Sequence, residues 1–484
     1  MSPLPKNLTD SSSPHPEEAC RAVSKDAPAG SGASWSILRD AADAAPQDEG
    51  SGASEPDSRE ALRRGWCPST LRPMETGDGW LVRLHPPGNA LTPGQLRRVA
   101  ELAEMHGNGL IEISARANLQ LRGVSAQTHP ALVEALLAEH LVDETEHDGP
   151  QKLVLTSPLA GHDPSELIDA AALAREIGQH ARMVAGLPAK AGVIVDGGGL
   201  SLDDFAADLR VVAAEEGKIA IGLPDDTWLG PVTPSDAADA VIGLLHGLAA
   251  GRRAEPSAIR RLRDLPPAGL AKLIEASGLP MASAPQRCPA PARAGLFALR
   301  DGRFAAIIGL PFGRSDAGTL AEIADIAGRN GSNEIRCSPW RGLAFLGLDQ
   351  KRAEAVLAAA DALGLITQDM DPRLSVQACA GAPACSRGET PASGDAAVLA
   401  EAAAPLLASG LTLHVSGCVK SCAHPAAADL TLVGHDGRYD LVFNGTTRDT
   451  PTQRLDLSQI VQRLQPGQDF HTRLITGRAS GPKV

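Results

Sequence analysis

Half of the eight cysteines form two tight pairs in the last quarter of the chain, Cys379 with Cys385 and Cys418 with Cys422. Five residues separate the first pair, three the second, and 32 lie between the inner members. Thiolates gathered in this way suit a metal centre. Structural zinc takes knuckles with two to four intervening residues, a rule the second pair meets and the first does not. Paired disulfides belong to an oxidising compartment. An iron–sulfur cubane needs four thiolates on loops that let backbone N–H groups approach the sulfurs. Ala380 to Ala384 is small and compliant, Ser416-Gly417 precedes the second pair, and Cys418 to Cys422 suits a short helical turn ended by His424-Pro425. Of the three readings, these loops favour the [4Fe-4S] cluster.

The chain that must position this centre has 484 residues, 43% hydrophobic and 21% charged, enough for several domains with their own cores. Aromatics make up 3% with a single tyrosine, so aliphatic side chains supply the packing. A net charge of −13 argues against nucleic acid as the main partner. The first residues show no basic-then-apolar leader, and no apolar run approaches the roughly 20 residues of a membrane span. A cytoplasmic protein is the expectation, with no membrane partner. Residues 1–60 are rich in Ser, Pro, Ala, Gly and acids, a composition that predicts a disordered tail.

A strand is expected over Trp80–Leu84, then a helix opened by Thr92-Pro93 with Leu96, Val99 and Leu102 on one face. From Ile111 to Arg122 every odd position is apolar and every even one polar, which predicts one long strand. Its polar face would carry Arg116, Asn118, Gln120 and Arg122. The same unit recurs at a constant offset of 224 residues: Leu96 meets Leu320, Val99 meets Ile323, Gly107 meets Gly331 and Gly123 meets Gly347. A duplicated strand–helix–strand module follows from these matches, each copy running into an α/β block. In the first block a helix is expected over 165–183, starting beside Glu166, and further helices over 235–250 and 256–277. In the second, Leu430–Val433 should pair with Tyr439–Phe443 across Asp436-Gly437.

The Cys-x5-Cys and Cys-x3-Cys pairs, with Gly417 before Cys418 and Ala423-His424-Pro425 after Cys422, resemble the [4Fe-4S] site of the sulfite and nitrite reductase superfamily. The duplicated module matches that superfamily's internal repeat. Within it, Cys67-Pro68-Ser69-Thr70-Leu71-Arg72-Pro73-Met74, Ser157 to Gly161 with Asp163-Pro164, Leu187 to Lys190, Pro311-Phe312-Gly313 and Pro339-Trp340-Arg341 resemble the precorrin-3B synthase family of aerobic cobalamin biosynthesis. The resemblance implies an α+β fold. Two ferredoxin-like half-domains, at 61–150 and 284–350, would alternate with α/β blocks at 151–283 and 351–484, the last carrying the cluster.

In the reductases the cluster is bridged through one cysteine to the iron of sirohaem, and basic residues hold the oxyanion. Arg116 matches an arginine of their haem-contacting strand, and Lys190 the first of two anion-holding lysines. The second lysine falls on Gly192, and two anion-holding arginines fall on His85 and Gln151. The resemblance therefore implies a kept tetrapyrrole cradle and a depleted oxyanion clamp. It implies precorrin-3A as substrate, hydroxylated by O2 at C20 with closure of a γ-lactone. Arg116, Asn118, Gln120, Arg122, Lys190 and Arg341 would bind the substrate; His85 and Lys190 are the catalytic candidates. A second iron, mononuclear non-haem or sirohaem, would activate O2, with His85 and His424 as candidate ligands. NADH would be the ultimate reductant through an electron-donor protein, since no Gly-x-Gly-x-x-Gly follows a strand. The rival readings are a sirohaem-dependent sulfite or nitrite reductase and a non-catalytic iron–sulfur tetrapyrrole carrier.

Overall fold

The computed structural model describes residues 66–142, 149–286, 288, 290–464 and 474; the expected tail lies outside them. The first module runs β1 (Met74–Thr76), β2 (Gly79–Leu84), β3 (Ala90–Leu91), α1 (Pro93–His106), β4 (Leu110–Ile113), β5 (Leu119–Val124) and α2 (His129–Ala138). The first block follows with β6 (Val154–Leu155), α3 (Ala170–Ala181), β7 (Val193–Asp196), β8 (Leu209–Glu215), β9 (Lys218–Gly222), β10 (Trp228–Val232), α4 (Pro234–Ala254), α5 (Pro267–Ser277) and β11 (Met281–Ala282). The second module repeats the first as β12 (Gly295–Ala298), β13 (Phe304–Gly309), β14 (Arg314–Asp316), α6 (Ala317–Arg329), β15 (Glu334–Ser338), β16 (Gly342–Leu348) and α7 (Gln350–Ala362). The second block holds β17 (Val376–Ala378), α8 (Ala392–Ala402), α9 (Ala404–Ala408), β18 (Leu413–Ser416), β19 (Ala428–His435), β20 (Arg438–Gly445), β21 (Gln453–Leu455) and α10 (Leu457–Leu464).

The offset read from the sequence persists in the backbone. Pro93 and Ala317, the first residues of α1 and α6, are 224 apart, as are Ala117 and Arg341, both at positive φ (52° and 61°). α1 starts on a capping box between Thr92 and Gln95, while the Asp316 carboxylate caps α6 through the Thr319 N–H. The modules exchange edges: β3 pairs with β15 and β14 with β4, so each five-stranded sheet ends on a strand of the other module. Leu96, Val99 and Leu102 share one buried core with Leu320, Ile323 and Ala327. The blocks are duplicated too. In each sheet three parallel strands, β6-β7-β8 or β17-β18-β19, continue into antiparallel ones.

Three expectations change. The long strand over 111–122 is a hairpin, with Ile111 opposite Leu121 and Glu112 opposite Gln120. Five residues, 114–118, form its turn, and an odd-length turn returns even positions to the face they left. The helix expected from Ser165 begins at Ala170, capped by the Asp169 carboxylate. Glu166 instead closes the preceding loop by accepting the Gly161 N–H at 2.8 Å. The helix expected over 256–277 is a 3-10 turn at Leu262–Asp264 and α-helical only from Pro267, behind Pro266, with Asp208 capturing the Leu262 N–H at 2.8 Å. The β19–β20 hairpin turns as expected at Asp436-Gly437, both at positive φ. Among the described residues, no helix is long and apolar enough to cross a membrane.

Candidate functional site

β17 and β18 are adjacent and parallel, with Ala378 beside Val415, so Cys379 and Cys418 both leave the carboxyl edge of the sheet. Ligands of open α/β sheets collect at such an edge. The Gly417 N–H donates to Cys379 Sγ at 3.1 Å, and the Glu389 N–H returns to the Gly417 carbonyl at 2.8 Å. A Cβ on Gly417 would come within 2.9 Å of Gly381 Cα, so the two cysteine loops touch backbone to backbone. Burial raises the Cys418 thiol, and the nearby sulfurs of Cys379 and Cys385 add to it. Cys422 is exposed as a residue, yet desolvation at its sulfur pushes the thiol up to about 11, with Cys379, Cys418 and Cys385 adding repulsion. The Cys379 and Cys385 sulfurs thus lie near enough to bear on Cys418 and Cys422. The segment expected as a short helical turn from Cys418 to Cys422 turns at Val419-Lys420, with Ser421 at φ 59°.

One arginine from each module holds one cysteine loop. Arg122, its side chain 4% exposed, pairs with Asp78 (2.6 and 2.9 Å) and donates to the carbonyl of Ala384, beside Cys385, at 2.6 Å. Arg341 donates to Gln377 Oε1 at 3.1 Å and to the carbonyl of Ala423, beside Cys422, at 2.7 Å. Gln120 accepts two bonds from Arg83 and donates to Glu112. Expected as donors to a substrate, Gln120, Arg122 and Arg341 are occupied within the protein. Lys190 is exposed in the turn before β7 and does not line the cavity described next.

A cavity of about 1150 Å³ opens between the first module and the first block, lined by His85, Asn89, Asn118, Lys152, Arg175 and Arg336 among others. Asn118 Oδ1 is buried there without a hydrogen-bond partner among the described residues. Lys152 donates to Asn89 Oδ1 and the Ala117 carbonyl, both at 2.9 Å. Burial lowers its amine to about 7, with Arg116 and Arg83 adding repulsion. His85 is driven down to about 3 by burial, then by Arg83 and Lys152, and is therefore neutral. Arg116, in the hairpin turn, makes no side-chain hydrogen bond or ion pair among the described residues, and its guanidinium lies against Gly192.

Sequence reasoning missed Lys152 and His414. The signal for Lys152 was its place beside Gln151 at the entry to β6. That for His414 was a polar position between Leu413 and Val415, whose side chains enter the core. His414 is fully buried, and among the described residues neither ring nitrogen has a hydrogen-bond partner. The ring of His424 stands edge-on at 5.6 Å. The two candidate iron ligands thus have separate surroundings, His85 the cavity and His424 the cluster block. Burial holds His414 down to about 3, with His424 and Arg341 adding to it. The unfolded chain takes up this proton first, so His414 costs stability as pH falls from about 6.5 toward 3, at up to about 1.4 kcal/mol per pH unit. His85 acts in the same direction. His414→Leu is expected to flatten this acid limb, its urea midpoint gaining on the wild type between pH 6.5 and 4; parallel curves would contradict it.

Residues 72–139 and 297–363 each match the nitrite/sulfite reductase ferredoxin-like half domain. A precorrin-3B synthase of Sinorhizobium sp is 34% identical over 420 residues, covering 82% of this chain and 86% of the relative. The chain belongs to the precorrin-3B synthase family. That family's reductase cousins are more distant. A ferredoxin–nitrite reductase of Synechococcus elongatus is 25% identical over 80% of this chain and 82% of its own length. A ferredoxin sulfite reductase of Mycolicibacterium paratuberculosis is 27% identical over 73% and 70%. The solved structure of the Mycobacterium tuberculosis NirA protein superimposes with a TM-score of 0.65 at 21% identity, covering 82% of this chain and 83% of that one. This synthase-family chain therefore shares its fold with NirA.

Proposed function

We propose that the protein is an oxidoreductase of cobalamin biosynthesis, a precorrin-3B synthase that uses O2 to hydroxylate precorrin-3A at C20 and closes the γ-lactone. The observation that carries this reading is the state of the anion site. Gly192 provides no cation, His85 is neutral, and Arg116 fills the space a side chain at 192 would need. A small, multiply charged oxyanion requires several fixed cations converging on it. A guanidinium without a side-chain partner among the described residues suits a peripheral carboxylate of a larger molecule.

Cys379, Cys385, Cys418 and Cys422 fit a [4Fe-4S] cluster: four neighbouring thiols, a backbone N–H on one sulfur, and loops whose glycines admit close approach. Such a cluster supplies electrons one at a time, with NADH as ultimate source through a donor protein. The chain's own residues do the rest. Arg116 and Asn118 bind the substrate edge, with Lys190 at the turn before β7. Lys152, held between Asn89 and Ala117, keeps an amine near neutrality beside the cavity and could exchange a proton there. Arg122 and Arg341 keep the cysteine loops in place. The second iron, non-haem or sirohaem, is a further part of the proposal, with His85 and His424 as its candidate ligands.

The reductase relatives favour one alternative, a sirohaem-dependent sulfite or nitrite reductase. The test is to purify the protein anaerobically, extract its chromophore and offer sulfite or nitrite with reduced methyl viologen. The proposal expects neither anion to be reduced. Stoichiometric sirohaem with rapid six-electron reduction would overturn it.

A further inference from the structure

We propose that the face of α3 made by Ala171, Ala174 and Gly178 is a specificity wall of the cavity, kept bare so that the flat face of a macrocycle lies against it. The inference rests on the tetrapyrrole reading above and adds the residues that set the width of its site.

α3 has two faces with different duties. Leu173 and Ile177 enter the core of the first block. Ala171, Ala174 and Gly178, spaced three and four apart, line the cavity of about 1150 Å³. Glycine is the least favourable of these choices, because in mid-helix it holds the fold less well than alanine. A close neighbour is the usual reason for one: at Gly247 of α4 a Cβ would run into Leu273. Gly178 has no such reason, since a Cβ there would meet nothing within 4 Å. It is half-buried and faces the cavity, whereas the equally open Gly243 of α4 is exposed and lines no part of it. The space in front of Gly178 is thus left open inside the cavity, where no described side chain uses it.

From the first module, Pro86, Pro87 and Ala117 line the same cavity, so both of its sides carry groups of low relief. An independent observation points to a ligand between them. Asn118, 6% exposed, lines the cavity with its Oδ1 buried and without a hydrogen-bond partner among the described residues. A buried acceptor left bare costs stability until something donates to it. The ligand that answers both features is broad, flat and largely apolar on its faces, with a donor within reach of Asn118. Methyl groups and bare backbone let such a face approach closely over a wide area, where many weak contacts add up.

The test is an anaerobic absorbance titration of the holoprotein with precorrin-3A, beside thermal unfolding without it, for wild type, Gly178→Leu, Ala174→Leu and Gly243→Leu. Gly178→Leu should weaken binding at least about tenfold, because the added methylenes take space the ring needs. Its thermal midpoint should stay at or above that of the wild type, since leucine is the better helix former. Gly243→Leu controls for helix propensity and should keep wild-type affinity. A wall for a ligand sets affinity against stability in this way, while a structural glycine would lose both together. Should Gly178→Leu not fold, Ala174→Leu decides by the same two readings. Wild-type affinity in the deciding variant, or lost affinity with a lowered midpoint, would overturn the wall and leave the tetrapyrrole reading standing. Failure of the wild type to bind precorrin-3A would overturn that reading, and the wall with it.

Discussion

Cys418→Ser is expected to strip the protein of most of its iron and acid-labile sulfide and to take O2-dependent turnover below detection. The reason lies in how the site is built. Cys379 and Cys418 leave neighbouring parallel strands, and the Gly417 N–H already points at Cys379 Sγ. Burial, with the neighbouring sulfurs adding to it, raises the Cys418 and Cys422 thiols, a cost that is removed when a cation takes them as thiolates. A serine oxygen is a hard ligand with a far higher pKa and cannot complete a thiolate set. Cys288→Ser, at an exposed position, serves as the control and should retain its iron. Equal iron and sulfide in Cys418→Ser and wild type would refute the assignment of these ligands.

Arg122→Ala should destabilise the fold by about 3–5 kcal/mol, the cost of breaking a buried ion pair. Asp78 would keep only its bonds from Thr76 and Asn108, and the Ala384 carbonyl would lose the Arg122 donor. The pH dependence has a definite sign. In the wild type burial tends to raise the Asp78 carboxyl, but the Arg122 hydrogen bond and charge hold it below its ordinary value. That pair stabilises the fold above pH about 4 and is lost as pH falls through the lowered pKa. Without Arg122, burial of Asp78 is opposed by little more than its Thr76 and backbone hydrogen bonds, and its folded-state pKa rises. The gap between variant and wild type should therefore be widest at neutral pH and narrow in acid. Arg122→Lys should rescue little, because a point charge cannot make the two-pronged bond to Asp78. Since Ala384 adjoins Cys385, iron content should fall along with the thermal midpoint. An unchanged midpoint at pH 7 would show that the tether carries no stability.

The cysteine pairs were legible in the sequence because local spacing alone states their chemistry. The duplicated module was legible because no insertion disturbed the 224-residue offset between Leu96 and Leu320. The β4–β5 hairpin was not, and its concealment is physical. Its turn, Ser114-Ala115-Arg116-Ala117-Asn118, contains neither Gly nor Pro, and Ala117 takes the positive φ. Five residues also preserve the alternation that marks a single strand. The helix expected from Ser165 failed because Asp169 supplies a competing cap four residues on.

Among the arginines, residue type could not distinguish tether from binding group. Arg116 and Arg122 stand six residues apart on one hairpin, yet Arg122 meets Asp78 and Ala384 while Arg116 meets the bare backbone of Gly192. Both outcomes depend on segments brought in from far along the chain. Lys152 and His414 share this property. Burial makes them unusual, and no local pattern reports burial of a single polar residue.

Oxygen chemistry on a tetrapyrrole is the activity proposed for this scaffold. The most direct measurement is mass spectrometry of the product after incubating the holoprotein, an electron donor and precorrin-3A under isotopically labelled O2. One labelled oxygen atom at the hydroxylated position is the predicted result. A product carrying only unlabelled oxygen, or unchanged precorrin-3A beside active sulfite or nitrite reduction, would contradict it.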